Sequence, residues 1–84
     1  MDVDREVVAI LDRVLDLGGR SSALRADSPL LGAVPELDSM AVATLITALE
    51  EHFGFAVDDD EIDGSVFATV GSLATFVGKK LAAA

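Results

Sequence analysis

Apolar residues gather at helical spacing in three separate stretches of the chain. In the first, Val3, Val7, Ile10, Leu11, Val14 and Leu17 recur at three- and four-residue steps, which places them on one face of an α-helix over Asp2–Leu17. Asp2, Asp4 and Glu6 lie in its first turn, where the helix dipole favours anions, and Gly18-Gly19 can take the positive φ that stops a helix. In the second, Val42, Leu45, Ile46, Leu49 and Phe53 form an inward stripe. The spacing predicts a helix from Asp38 or Ser39 to His52 or Phe53, stopped by Gly54, with Asp38 or Ser39 as the capping residue. In the third, Val70, Leu73, Phe76, Val77 and Leu81 predict a helix over Val70–Leu81, with Thr69 as cap and Lys79 and Lys80 in the last turn, the favourable end for cations.

The intervals between these helices differ in kind. Residues 18–37 hold both prolines and three serines and keep no period. A loop of that length inside a small domain needs anchoring, which Leu24, Leu30, Leu31, Val34 and Leu37 can supply, while Pro29 and Pro35 stiffen it. Residues 54–63 read as a connector carrying an acidic run, and Gly64–Ala68 as a short helix with Val66 and Phe67 turned inward. No stretch alternates convincingly enough to be a strand. The expectation is an all-α fold, a single domain over residues 1–84. It is a small helical bundle of three main helices plus one short helix, with a long loop between the first and second.

Composition bears on how such a bundle is held. The 84 residues include no cysteine, so neither a disulfide nor a thiolate metal site can staple the fold. A hydrophobic content of 51% supplies a core and argues against a disordered chain. The start, Met1-Asp2-Val3-Asp4-Arg5-Glu6, lacks the basic and apolar regions of a signal peptide. No run approaches the roughly 18 apolar residues of a membrane span. A cytoplasmic protein without membrane insertion is expected.

Charge narrows the partners. Fifteen acids against six bases give a net charge of −9, and residues 26–78 contain ten acids and no Lys or Arg. Such a surface repels nucleic acid and attracts basic protein patches.

The candidate chemistry lies where the long loop meets the second helix. Ser39 places a hydroxyl at a helix N-terminus, whose free backbone N–H groups and positive dipole suit a bound phosphodiester. The sequence around it, Asp38-Ser39-Met40-Ala41-Val42-Ala43-Thr44-Leu45-Ile46-Thr47-Ala48-Leu49-Glu50-Glu51-His52-Phe53, resembles the Asp-Ser-Leu/Met helix of acyl carrier proteins. Its Leu-Glu-Glu-x-Phe ending and the later Thr69-Val70-Gly71-Ser72-Leu73 are similar to that family at the matching places. The likeness spans the whole chain, the long loop included.

The resemblance implies that Ser39 receives phosphopantetheine from coenzyme A through a separate phosphopantetheinyl transferase that uses magnesium. The arm's thiol would then hold an acyl group as a thioester, a thiol that a chain without cysteine has to import. It implies a monomeric carrier with no catalytic residues of its own, visited by acyl-loading and acyl-transfer enzymes with basic patches. By the same likeness Asp38, Met40, Ala43, Thr47, Glu50 and Glu51 lie where the family meets partners, and Ile46, Leu49 and Phe67 are candidates to line an acyl cleft. Two departures, the neutral Ala43, Thr44 and Thr47 on the outer face and a long Val57–Val70 segment, point to a specialised pathway, polyketide-like, fatty-acyl or serving a single acyl ligase. Peptidyl or D-alanyl carriers, and an acidic helical adaptor never modified at Ser39, remain the alternatives.

Other chemistries fit less well. A serine hydrolase needs a base within hydrogen-bond reach, yet His52, the one histidine, lies 13 residues along the same helix, roughly 20 Å away; it has no assigned role. Asp58-Asp59-Asp60-Glu61 lacks the alternating ligands and central glycine of a calcium loop, so no metal site is expected.

Overall fold

A computed structural model describes residues 2–19, 23–30, 32, 34 and 37–83. Three α-helices form: α1 (Val3–Leu15), α2 (Ser39–Phe53) and α3 (Val70–Ala83), with a single 3-10 turn at Asp59–Glu61 between the last two. No strand occurs among the described residues, where an isolated antiparallel bridge joins Pro29 and Thr69. α1 packs against both α2 and α3, while those two have little direct contact with each other.

α1 starts as its sequence predicts, with the Asp2 carboxylate accepting from the Arg5 N–H at 3.2 Å. It stops earlier than expected. Asp16 takes the left-handed conformation at φ 54° and its N–H donates to the Asp12 carbonyl, which also accepts from the Leu17 N–H at 3.0 Å. Helix end and glycine pair are therefore distinct: Gly18 and Gly19, both at positive φ, only steer the chain away afterwards. The buried stripe shifts accordingly, from Val7 through Leu11 to Leu15, leaving Val14 half-buried, while Leu17 reaches the core from beyond the helix.

The long segment between α1 and α2 is tied to the start of α3. The Val70 N–H donates to the Ser28 carbonyl at 3.1 Å and the Gly71 N–H to the Ala26 carbonyl at 2.7 Å, while the Leu30 N–H donates to the Ala68 carbonyl at 2.9 Å. The Ser72 N–H is taken by the Thr69 hydroxyl, and the Ser72 hydroxyl accepts from the Thr69 N–H, both at 3.0 Å. Every one of the first three amides of α3 thus has a partner, where a helix start ordinarily leaves them to water. Leu30 and Leu37 anchor the same segment in the core, with Leu24 and Val34 packed against it; Leu31 and Pro35 lie outside the described residues.

The short helix expected over Gly64–Ala68 is not present as a helix. Residues 64–67 form turns, set by Asp63, whose carboxylate accepts from the Ser65 N–H at 2.8 Å and from the Ser65 hydroxyl. An Asp side chain bonded two residues ahead offers the backbone an alternative to helix. Val66 and Phe67 are nonetheless buried, as their apolar character requires. α3 runs two residues beyond the expected end, to Ala83.

Candidate functional site

Ser39 is the first residue of α2 and is exposed. Asp38 precedes it in extended conformation and caps the helix, its carboxylate accepting from the Ala41 N–H at 2.8 Å. The alternative expectation, Ser39 as cap, is thereby excluded: because Asp38 takes that role, the serine hydroxyl is spared it. Among the described serines the contrast is sharp. Ser28 accepts from the Arg25 N–H, Ser65 donates to Asp63 and Ser72 donates to the Val66 carbonyl at 2.9 Å. Ser39 has no protein partner among the described residues, and neither do the N–H groups of Ser39 and Met40. Two unpartnered amides at the positive end of a helix, beside an exposed hydroxyl, can receive a phosphate ester.

An open groove of about 340 Å³ adjoins the hydroxyl, lined by Ser39, Val42, Ile62, Asp63, Gly64 and Phe67. Its walls are α2 on one side and the connector on the other. Of the three residues expected to line a cleft, Phe67 borders this groove. Ile46 is half-buried against the core, and Leu49, only 2% exposed, belongs to the core itself. Val42 and Ile62, which sequence reasoning did not single out for the groove, do line it. Ile62 carried no signal, being an isolated apolar residue within an acidic run.

Two carboxylates fix the connector wall. The Glu50 carboxylate accepts from the Val57 N–H at 2.8 Å. Glu61 accepts from the Lys80 ammonium at 2.8 and 3.0 Å and from the Asp58 N–H at 3.0 Å. The Lys80 hydrogen bonds chiefly, and the Asp58 amide next, hold the Glu61 carboxyl below the ordinary glutamate range. The Ser65 hydroxyl, and then its N–H, does the same for Asp63.

The outer face of α2 is exposed at Met40, Ala43, Thr44, Thr47 and Glu51, with Met40 at 79% the one large hydrophobic side chain left in solvent among the described residues. At the far end of α2, His52 Nε2 lies 3.0 Å from a Glu6 carboxylate oxygen, tying α2 to α1, where the sequence had suggested no role. Among the described residues no three His, Asp or Glu side chains converge as metal ligands, and no helix is long and apolar enough to cross a membrane.

Residues 5–77 match the family described as Phosphopantetheine attachment site. The solution structure of a holo acyl carrier protein from Nitrosomonas europaea is similar over 98% of this chain and 99% of that one, with 57% identity and a TM-score of 0.90. No curated protein matches. A bundle of this shape with a family match over nearly its full length defines a carrier rather than a catalyst. The chain belongs to the acyl carrier proteins of the phosphopantetheine-attachment family, and its covalent group is phosphopantetheine.

Proposed function

We propose that Ser39 is the attachment residue and that the protein carries an acyl group for a dedicated biosynthetic pathway. The observation that supports this most is the free hydroxyl of Ser39 at the exposed start of α2, where every other described serine hydroxyl is bonded to the protein. In loading, Ser39 Oγ forms the new P–O bond and gives up its proton, and the nucleotide part of coenzyme A leaves with the electrons of the broken pyrophosphate bond. The arm supplies a thiol on which an acyl group is held as a thioester. This chain's part is to present the hydroxyl, to meet the phosphate with the Ser39 and Met40 N–H groups, and to offer the apolar flank of Val42, Ile62 and Phe67 beside it. With coenzyme A as donor, a phosphopantetheinyl transferase loads the carrier in the cytoplasm, and acyl-loading and acyl-transfer enzymes then act on it.

The neutral outer face of α2 supports a specialised pathway over a general one. The family match weighs against an unmodified adaptor. A peptidyl or D-alanyl carrier is disfavoured by the acyl carrier likeness. Intact mass after incubation with a broad-specificity transferase, coenzyme A and magnesium tests the assignment. One phosphopantetheine is expected on the native protein and none on Ser39→Ala, whose circular dichroism should match the native protein's. A modified Ser39→Ala protein would overturn it.

A further inference from the structure

The bases of this chain are few, and two of them stand together. An open pocket of about 320 Å³ lies where the start of α1, the long segment and the start of α3 meet. Arg5, Arg25 and Asp4 line it together with the apolar Val8, Leu24 and Val70, and it shares no residue with the groove beside Ser39. Val70 is buried and Val8 and Leu24 are half-buried, while both arginines are exposed. Neither guanidinium has a carboxylate partner among the described residues, although the chain carries fifteen acids. Asp4 borders the pocket without pairing with either, and Asp2 accepts from the Arg5 N–H instead. Arg5 also stands in the first turn of α1, where the helix dipole disfavours a cation. The fold thus brings two cations, distant in sequence, to one pocket and leaves both unneutralised.

We propose that this pocket binds an acidic, apolar segment of a protein partner: one carboxylate at the two arginines and an adjoining aliphatic side chain against Val8, Leu24 and Val70. A guanidinium is a planar fork that can meet a carboxylate with two hydrogen bonds, and two of them favour an anion over a neutral polar group. Size and charge argue for a peptide over a free anion. The volume is at the lower limit of the roughly 300–1,000 Å³ that enclose small ligands, and the pocket is open, so it seats side chains without enclosing a free molecule. A net charge of −9 repels a free anion from a distance, whereas a protein held by basic contacts elsewhere brings its carboxylate with it. The same charge disfavours a second copy of this chain. The contact involves no residue of α2. It adds a recognition point opposite in sign to the acidic surface, one that a partner without the acidic residue cannot use.

The test is amide NMR of the full chain, titrated into the millimolar range with the acetylated and amidated peptide Ser-Leu-Glu-Leu-Ser. Saturable shifts are expected at Arg5, Val8, Leu24, Ala26 and Val70. Arg5→Gln and Arg25→Gln should each weaken binding about threefold, and together about tenfold, the scale of exposed ion pairs. The same peptide with Gln in place of Glu should bind about tenfold more weakly. Arg13→Gln, an equal change of charge at an exposed position on α1 outside the pocket, should leave binding as it was. Absence of saturable shifts at the pocket overturns the proposal, and so does equal weakening by Arg13→Gln and the pocket variants, which would reduce the effect to net charge. Hexanoate binding as tightly as the peptide would make the occupant a free carboxylate. Shifts that follow protein concentration alone would make it a second copy, and either result overturns the peptide assignment.

Discussion

The Gly71 N–H donates to the Ala26 carbonyl at 2.7 Å, and a Cβ added at residue 71 would come within 2.8 Å of that same oxygen. The long segment therefore meets α3 backbone to backbone, at a distance only glycine permits. Gly71→Ala would gain helix propensity of about 1 kcal/mol but force the two backbones apart, an overpacking cost of about 1–3 kcal/mol. The expected outcome is a lower urea midpoint with an unchanged m-value, accompanied by amide shifts at Ala26 and Val70. A stabilised Gly71→Ala protein would show that the segment yields freely.

Asp38 acts on the helix through its oxygen and not only through its charge. Asp38→Ala should cost about 1 kcal/mol of stability, read from chemical denaturation, because the Ala41 N–H loses its acceptor. Asp38→Asn keeps an acceptor oxygen and should recover most of that loss. Equal losses in the two variants would assign the effect to charge instead.

Glu61 gives the fold a specific sensitivity to acid. Its carboxyl is depressed in the folded protein, mainly by the Lys80 hydrogen bonds. The contribution is thus present above the pKa the group has when unfolded and is lost as pH falls through the lower, folded value. Carboxyl-carbon NMR should place the Glu61 titration below the ordinary glutamate range, and Lys80→Met should move it upward. No movement in Lys80→Met would mean that the ammonium does not set the titration.

Glu50 is expected to hold the connector. In Glu50→Ala the Val57 N–H, half-buried and without its acceptor, should exchange with solvent about fivefold faster, equivalent to the roughly 1 kcal/mol net worth of such a hydrogen bond, while amides in the middle of α1 keep native protection. Unchanged exchange at Val57 would show that the connector is fixed by other contacts.

The three helices could be read from the sequence because each repeats its apolar positions over at least three turns, and tertiary packing had only to accept that stripe. The end of α1 could not. Gly18-Gly19 is the stronger local stop signal, yet Asp16 takes the left-handed turn, a conformation that aspartate adopts at modest cost, and so brings Leu15 and Leu17 both into the core. The turn at 64–67 had a readable cue in Asp63-Gly64-Ser65, but two inward apolar residues suggested helix. At the site, the place of Ser39 at the start of α2 was legible from the apolar stripe that follows it, and Asp38 was one of two residues expected as cap. The capture of Glu50 by Val57 and the pairing of His52 with Glu6 were not, because contacts between residues 7 or 46 positions apart in sequence leave no periodic trace. The docking of the long segment onto α3 was equally hidden, since carbonyls and amides are common to every residue and only Gly71 betrays the approach.

Because α1 braces both other helices while α2 and α3 scarcely touch, the seam beside Ser39 is closed by connector residues rather than by interlocked helices. Phe67 nevertheless reaches past the seam into the core that α1 organises, so the side chain that borders the groove is also one that holds the bundle together.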